Sequence, residues 1–485
     1  MRSGIMGRAA LTKAAKVPWT GAVGPAQAAE GPSLMRGSCQ TTFRVMAQTP
    51  RTTPFHARVA PLNETGIWKH WSGYLVAPNY HFSLSHEYYA IRNAAALLDT
   101  SPLFKYRFSG PGAETVLQRI LARDIRACPP GRAHYTCWCD ERCFVLQDGV
   151  VLHVRRGEYW LTAAEPSLRY FRNVARELRS SAHIEDISNN FGILALQGPH
   201  AHDVIARLTD DATPLRFFGL CQTRIEGRDV VVSRTGYTGD LGYEIWIPSG
   251  DAETVWDALV AAGGDYNLTP MGTTPLKMAR IEAGLLLMGV DFHMSRFAWV
   301  DQERDTPLEL GWSWMFRKLD DDDRDFIGRG AIEEEIQGQT SRWRTVGLAV
   351  DWDEYEHVHT EVGLLPPRHE IYRETTMSVY RRGEVEWDYA GYATSFTTSS
   401  LLRKPLAIAK VPLDLAGPGS EVELELSVLH RPTTVLARVE RLPFFDPPRK
   451  TATMEKTATM ERTATMERTA AMDEAGGPTP TGGSA

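Results

Sequence analysis

Cysteine is scarce in this sequence. Six residues, Cys39, Cys128, Cys137, Cys139, Cys143 and Cys221, in a chain of 485 are too few for a disulfide scaffold. They fit a reducing compartment, and a cytoplasmic location is expected. Long apolar runs are also missing: no stretch approaches the roughly 20 residues that cross a bilayer, so no membrane partner is expected. Nor is positive charge in excess. Lys and Arg number 53 against 60 Asp and Glu, a net charge of −7, which is the wrong sign for a nucleic-acid backbone. The tightest cysteine group, Cys137, Cys139 and Cys143 around Trp138, has no C-x-x-C pair and no completing His, so no metal is expected there. It reads as strand packing, since free Cys behaves as a small hydrophobe.

What is present is enough apolar residue, 43%, to bury a sizeable core, over a length that predicts two to four domains. Residues 1–50 carry Arg2, Arg8, Lys13, Lys16, Arg36 and Arg44 against the single acid Glu30 and do not read as a core. A targeting peptide is one reading, and an upstream start ahead of Met46 is the preferred one. From Thr451 the hexamer TATMEK, TATMER, TATMER, TAAMDE repeats and then gives way to Gly, Pro, Thr and Ser, so residues 451–485 are expected to be a disordered tail. Asp320–Asp323 reads as a solvated acidic turn.

Between these ends, Ser-Gly-Pro-Gly before Val116, Leu117, Ile120 and Leu121 at helical spacing predicts an amphipathic helix. Strand-like runs follow at 144–154 and 159–163. A second Gly-Pro before a helix occurs in LALQGPHAHDVIARL from Leu194, which suggests two α+β halves. Beyond Arg304 strands such as 344–350, 407–411 and 421–429 dominate, so the last third reads as a β-barrel or sandwich.

The segment RTGYTGDLGYEIWIP from Arg234 joins a strand at 229–233 to a helix near Ala252. Its three glycines permit a tight connection with positive φ. Alternation places Tyr243, Ile245 and Ile247 on one face and Glu244 with Trp246 on the other. Such a carboxylate is either a structural acid paired with an Arg, or an acceptor for a planar group presenting two N–H donors.

This string resembles the signature of the glycine cleavage T-protein (aminomethyltransferase) family and its tetrahydrofolate-dependent demethylase relatives. Further resemblances follow in order: DTSPLFKYRFSGPGA from Asp99, GRAHYT from Gly131, LALQGPHA from Leu194, ARIEAGLLLMGVDF from Ala279, TPLELGW from Thr306, DFIGRGAI from Asp325 and ATSFTTSSLLRKPLAIAKVP from Ala393. Together they cover nearly all of residues 51–450. The resemblance implies an α+β, three-domain cloverleaf around a folate channel. Domain 1 would comprise 51–105 and 191–300, interrupted by domain 2 at 106–190, with a C-terminal β-barrel at 301–450.

It also implies site residues. Glu244 would grip the pterin and Tyr237 would line it. The catalytic carboxylate, thirteen residues after a channel tyrosine, would be Asp148 after Tyr135. Taken alone, Gln147-Asp148-Gly149 reads as an ordinary turn. The chain departs from the family pattern at Gln147, at Thr162 where an Asn is usual, at Pro102 and Leu103 where His-Met is usual, and at Leu276, where an Arg is usual. Lys277 is the candidate to replace that Arg as a charge for the glutamate tail. Leu103 and Thr162 would border the ligand.

The implied activity is one-carbon transfer to N5 of tetrahydrofolate as acceptor cosubstrate, without a metal. The donor would be a lipoylated H-protein or a small methylated compound. An O-, S- or N-demethylase is the alternative, and a non-catalytic folate-binding accessory protein is disfavoured because its K-G-C-Y-x-G-Q-E signature is absent. A monomer or weak dimer is expected. The aromatic-rich stretch Trp68, His70, Trp71, Tyr74 and Tyr80 reads as a packed N-terminal segment, with a cation-receiving donor pocket as the sharper alternative.

Overall fold

A computed structural model of the chain describes residues 50–319, 323–367, 372–383 and 387–453, which belong to one compact unit. The N-terminal extension, residues 320–322 of the acidic run and the hexamer repeats from 454 lie outside the described residues. Asp323, at the end of that run, is ion-paired with Arg126 at 2.9 Å.

Among the described residues the strands begin with a hairpin of β1 (Lys69–Trp71) and β2 (Tyr74–Val76), then β3 (Ala95–Asp99), β4 (Phe104–Ser109), β5 (Arg132–Cys139), β6 (Val145–Arg155), β7 (Glu158–Ala163) and β8 (His183–Asp186). Next come β9 (Phe191–Gln197), β10 (Leu220–Ile225), β11 (Arg228–Ser233), β12 (Gly242–Pro248) and β13 (Leu268–Pro270). The last group is β14 (Arg344–Val350), β15 (Tyr372–Arg373), β16 (Met377–Arg381), β17 (Tyr389–Ser399), β18 (Lys404–Val411), β19 (Glu421–Val428) and β20 (Arg431–Glu440).

These strands form three main sheets. A six-stranded sheet has the order β10-β11-β12-β9-β3-β13, so it is built from two separated stretches of chain. The five-stranded sheet β5-β6-β7-β4-β8 lies between those stretches in sequence. In the third sheet β17 pairs with both β16 and β18, which closes the ring β17-β16-β19-β20-β14-β18 into a six-stranded barrel with β15 added on β17. The fold is therefore α+β with a closed barrel.

Burial explains how the sheets meet. On one face of the first sheet Tyr243, Ile245 and Ile247 pack with Leu194, Leu196 and Val232 against Val255, Trp256 and Leu259 of the helix Ala252–Gly263. That alternation leaves Trp246 on the opposite face, packed with Ile193 and Val231 against Ala133, Leu152 and Trp160 of the second sheet. Rings of Trp246 and Trp160 lie 5.4 Å apart. Each fully buried large side chain of this kind contributes about 1.5–3 kcal/mol. A separate cluster joins Cys137, Cys139, Cys143 and Val145 to Phe292, Trp312, Met315 and the barrel residues Leu406 and Ile408. The three close cysteines are buried packing, as their spacing suggested. Residues on the inner faces of β12, β5 and β6 thus come together where the sheets converge.

The N-terminal aromatic stretch is packed in part: Tyr74 and Tyr80 are buried, Trp68 and Trp71 are half-buried, and His70 is exposed. Trp68 sits against the first core with its ring 5.0 Å from that of His56, and Tyr80 is buried in that core. The Tyr74 hydroxyl donates to Asn189 at 3.2 Å.

Candidate active site

Glu244 stands opposite Ser233 in the β11–β12 pairing. Its carboxylate accepts one hydrogen bond, from the Thr235 hydroxyl, which in turn lies 2.7 Å from the Ser233 hydroxyl. No Arg or Lys pairs with it among the described residues, so the structural ion pair weighed from sequence is not formed. Burial raises its pKa, and the Thr235 hydrogen bond opposes that rise. One carboxylate oxygen has no protein hydrogen bond, and because Glu244 is only partly buried that oxygen is open to donors from a ligand.

The glycines of the preceding loop do different jobs. Only Gly239 has a positive φ, +74°, and a Cβ there would meet Ala283 at 2.3 Å. Gly236 and Gly242 make room for Gln197, which a Cβ would approach to 2.0 and 2.3 Å respectively. Gln197 Nε2 donates to the Thr235 and Tyr243 carbonyls at 3.3 and 3.4 Å, and the Thr238 hydroxyl donates to its Oε1 at 2.8 Å. The loop is also bolted from outside: Arg449 donates two hydrogen bonds to Asp240 at 2.7 and 2.8 Å, and Arg234 Nη2 reaches the Arg449 carbonyl at 3.1 Å. Tyr237 projects from this loop to donate to the Leu286 carbonyl, and burial raises its pKa strongly.

Asp148 lies within β6 opposite Cys137 of β5, one diagonal step from Tyr135. It is part of a continuous strand, not a turn. The Tyr135 hydroxyl donates to Asp148 Oδ2 at 2.7 Å. Burial pushes the Asp148 carboxyl up to about 6, against the hydrogen bonds from Tyr135 and its own N–H. Tyr135 is itself raised, first by burial and then by the Asp148 charge, and the ionisation of Tyr237 is also opposed by Asp148. Mutual electrostatic influence ties Asp148, Tyr135 and Tyr237 into one neighbourhood. Trp312 meets the edge of the Tyr135 ring with centroids 5.7 Å apart, and Trp314 stacks at 6.4 Å. A carboxyl that titrates near neutrality beside an aromatic wall can hold or release a proton at working pH.

The departures flanking Asp148 have structural duties. Gln147 points to the opposite face of β6, where its Nε2 donates to the Ser167 hydroxyl at 2.6 Å and its Oε1 accepts from the Glu165 N–H at 2.9 Å. Gln147→Ala therefore is expected to cost about 1–3 kcal/mol of stability, because buried groups lose their partners, while leaving donor preference unchanged. Denaturant unfolding beside a donor competition assay checks both. Gly149 allows β7 to approach: a Cβ would stand 2.1 Å from the Thr162 carbonyl oxygen. Gly149→Ala is expected to cost about 3 kcal/mol and to displace the adjacent Asp148, read by unfolding and by loss of transfer rate.

Thr162 uses its hydroxyl within the sheet, accepting from the Val150 N–H at 3.0 Å. Leu103 is in the turn after β3, where its carbonyl accepts from the buried Lys105 ammonium at 2.9 Å. Lys277 is not left free for an anionic tail: Nζ is 2.6 Å from Glu374 Oε1, and this acid matches its charge. The structure thus groups Asp148, Tyr135 and Tyr237, with Glu244 on the facing strand β12, and gives Thr162 and Lys277 partners within the protein.

A sequence model described as the GCVT N-terminal domain matches residues 54–319. Aminomethyltransferase from Saccharopolyspora erythraea is 30% identical over 400 residues, covering 82% of this chain and 98% of that protein. The chain belongs to the GCVT family. Aminomethyltransferase from Geobacillus thermodenitrificans is likewise 30% identical over 378 residues, covering 77% of this chain and 92% of its own. The crystal structure of glycine cleavage system aminomethyltransferase T from Bartonella henselae matches with a TM-score of 0.68 at 23% identity, covering 82% of this chain and 99% of that one, so the fold is shared. This GCVT-family chain is a transferase enzyme. Among its described residues no group of three or more His, Cys, Asp and Glu is placed to hold a metal.

Two aspects of the family site went unread in the sequence. Thr235 sits inside the recognised string, and its register beside Glu244 is the signal that identifies it. Trp312 and Trp314 follow TPLELG at a spacing of two, but nothing local says that they reach Tyr135 across about 180 residues of chain.

Proposed function

We propose that this enzyme transfers a one-carbon unit, aminomethyl or methyl, from a donor to N5 of tetrahydrofolate. The observation that carries the reading is the pair of partly buried carboxylates, Glu244 and Asp148, each held by a single protein hydroxyl and neither neutralised by a basic side chain. The free oxygen of Glu244 fits the N–H edge of a pterin, and the Tyr237 ring supplies an apolar wall beside it. Bound tetrahydrofolate would bring a weak amine nucleophile. Asp148, oriented by Tyr135, then holds the proton that must move as a carbon–nitrogen, carbon–sulfur or carbon–oxygen bond breaks.

The donor is a lipoylated H-protein carrying an aminomethyl group, or a small methylated compound. Mass spectrometry of the folate formed from tetrahydrofolate and a panel of both donor types decides between them. Methylene-tetrahydrofolate with ammonia identifies aminomethyl transfer. Formation of 5-methyl-tetrahydrofolate identifies a demethylase, and no folate product from any donor sinks the proposal.

A further inference from the structure

A polar cavity of about 350 Å³ opens where the segment ahead of the helix His56–Val59, the turn after β3 and the β8–β9 connection meet, beside the residue that follows β12. None of Glu244, Asp148, Tyr135 or Tyr237 lines it. Every lining side chain except Pro54 can hydrogen-bond. Thr53, Tyr74 and Ser101 are more than nine-tenths buried, and the Ser101 hydroxyl accepts from the Ile193 N–H of β9 at 3.1 Å, so the wall is part of the packed fold.

Acceptors in this wall are engaged, while several donors are not. Asn189 Oδ1 accepts from Arg51 Nη2 and from the Tyr74 hydroxyl. Asp99, beneath the floor, accepts from the Ser101 N–H at 2.9 Å and from the Thr53 hydroxyl. By contrast, the Ser188 hydroxyl accepts from the Lys105 N–H at 2.9 Å and keeps its own proton to give. Among the described residues the Thr52 hydroxyl, Asn189 Nδ2, and Arg51 Nε and Nη1 have no hydrogen-bond partner. A wall left with donors selects a ligand rich in acceptor oxygens.

Charge points the same way. Arg51 is held over the Tyr74 ring, 4.3 Å from its centre, which orients the guanidinium before any ligand arrives. No carboxylate pairs with it among the described residues. The acids nearby are Asp99, whose pKa burial raises, and the exposed Asp186, which accepts from the Ser188 N–H at 2.8 Å. Both act on Lys105, a fully buried ammonium that donates to the carbonyls of Ser101, Leu103 and Ser188 at 2.7, 2.9 and 3.4 Å. Lys105 thus takes up the charge of these acids from behind the floor, and the Arg51 fork stays open to two oxygens of an anion.

We propose that this cavity binds the oxyanion group, phosphate or carboxylate, of a small hydroxylated molecule, at a site distinct from the transfer centre. Arg51, Thr52, Ser188 and Asn189 supply the donors. The volume exceeds that of a bare anion and lies in the range of small-ligand sites, and the oxygens of Ser101 and Ser249 remain as acceptors for ligand hydroxyls. The inference does not rest on the tetrahydrofolate reading. Because the Ser249 N–H donates to the Asn190 carbonyl at 2.9 Å, an occupant also ties the end of β12 to the β8–β9 connection, and binding raises the melting temperature by mass action.

Calorimetry and thermal melts on the full chain compare inorganic phosphate, glycerol 3-phosphate, glycerate and uncharged glycerol. Glycerol 3-phosphate or glycerate binds tightest and raises the melting temperature, the stronger of the two naming the oxyanion, and glycerol does neither. Arg51→Gln weakens that ligand by about tenfold. Asn189→Asp does the same, since its carboxylate still accepts from Arg51 and Tyr74 but neutralises the guanidinium, so this variant keeps the fold if the first does not. Tetrahydrofolate affinity is unchanged in both. Binding of glycerol as tightly as the anions, no binding of any anion, or full anion affinity in both variants overturns the site.

Discussion

Asp148→Asn is expected to lower one-carbon transfer to tetrahydrofolate by about 10²–10⁴ while keeping the strand and the Tyr135 hydrogen bond. The amide accepts that bond as the carboxylate does, but it cannot hold or release a proton. Since burial places the Asp148 pKa at about 6, the unaltered enzyme gains rate as pH rises through 6 if the carboxylate is the working form, and the variant shows no such inflection. Stability moves the other way. The folded-state pKa lies above the ordinary aspartate value, so the folded protein binds the proton more tightly, and ionising Asp148 costs stability progressively between about pH 4 and 6. Asp148→Asn removes that cost and is expected to stabilise the fold by about 2–3 kcal/mol at pH 7, with no gain at pH 3. Urea unfolding at both pH values checks this. An active variant with unchanged stability would remove Asp148 from the mechanism.

Glu244→Gln is expected to weaken tetrahydrofolate binding by about 100-fold, with little change in melting temperature. Gln preserves an acceptor for Thr235, yet its amide nitrogen turns a donor toward the place where the carboxylate offers its unpartnered oxygen. Two donors then face each other, and the charge-assisted component is lost. Burial already raises the Glu244 pKa, so neutralising it relieves desolvation in the empty protein and the loss appears only on binding. Calorimetric titration separates the cases: an affinity within threefold of the unaltered protein would show that Glu244 does not grip the ligand.

Much of this architecture was legible in the sequence. The helix after Ser109-Gly-Pro-Gly, the strands around Val145–Arg155 and Glu158–Ala163 and the face alternation of β12 follow from periodicity and turn chemistry. The positive φ that the loop string permits is used at Gly239, whereas Gly236 and Gly242 are required by close approach to Gln197, a residue some forty positions earlier in the chain. Asp148 resembled a turn acid because Asp-Gly marks turns locally, and only the contact between Gly149 and Thr162 shows that the glycine serves strand packing.

Sequence by itself determined the family, the α+β class and the strand face that Glu244 shares with Trp246, because motif order and side-chain alternation are properties of the chain alone. Tertiary structure decided which charges were free. Lys277 and Arg123 are both single cations in the sequence, but Glu374 neutralises the first and no described acid neutralises the second. The physical reason is that a charge acts through its surroundings: partners distant in sequence and the water removed by packing set its energy, and neither is written within a few residues of it.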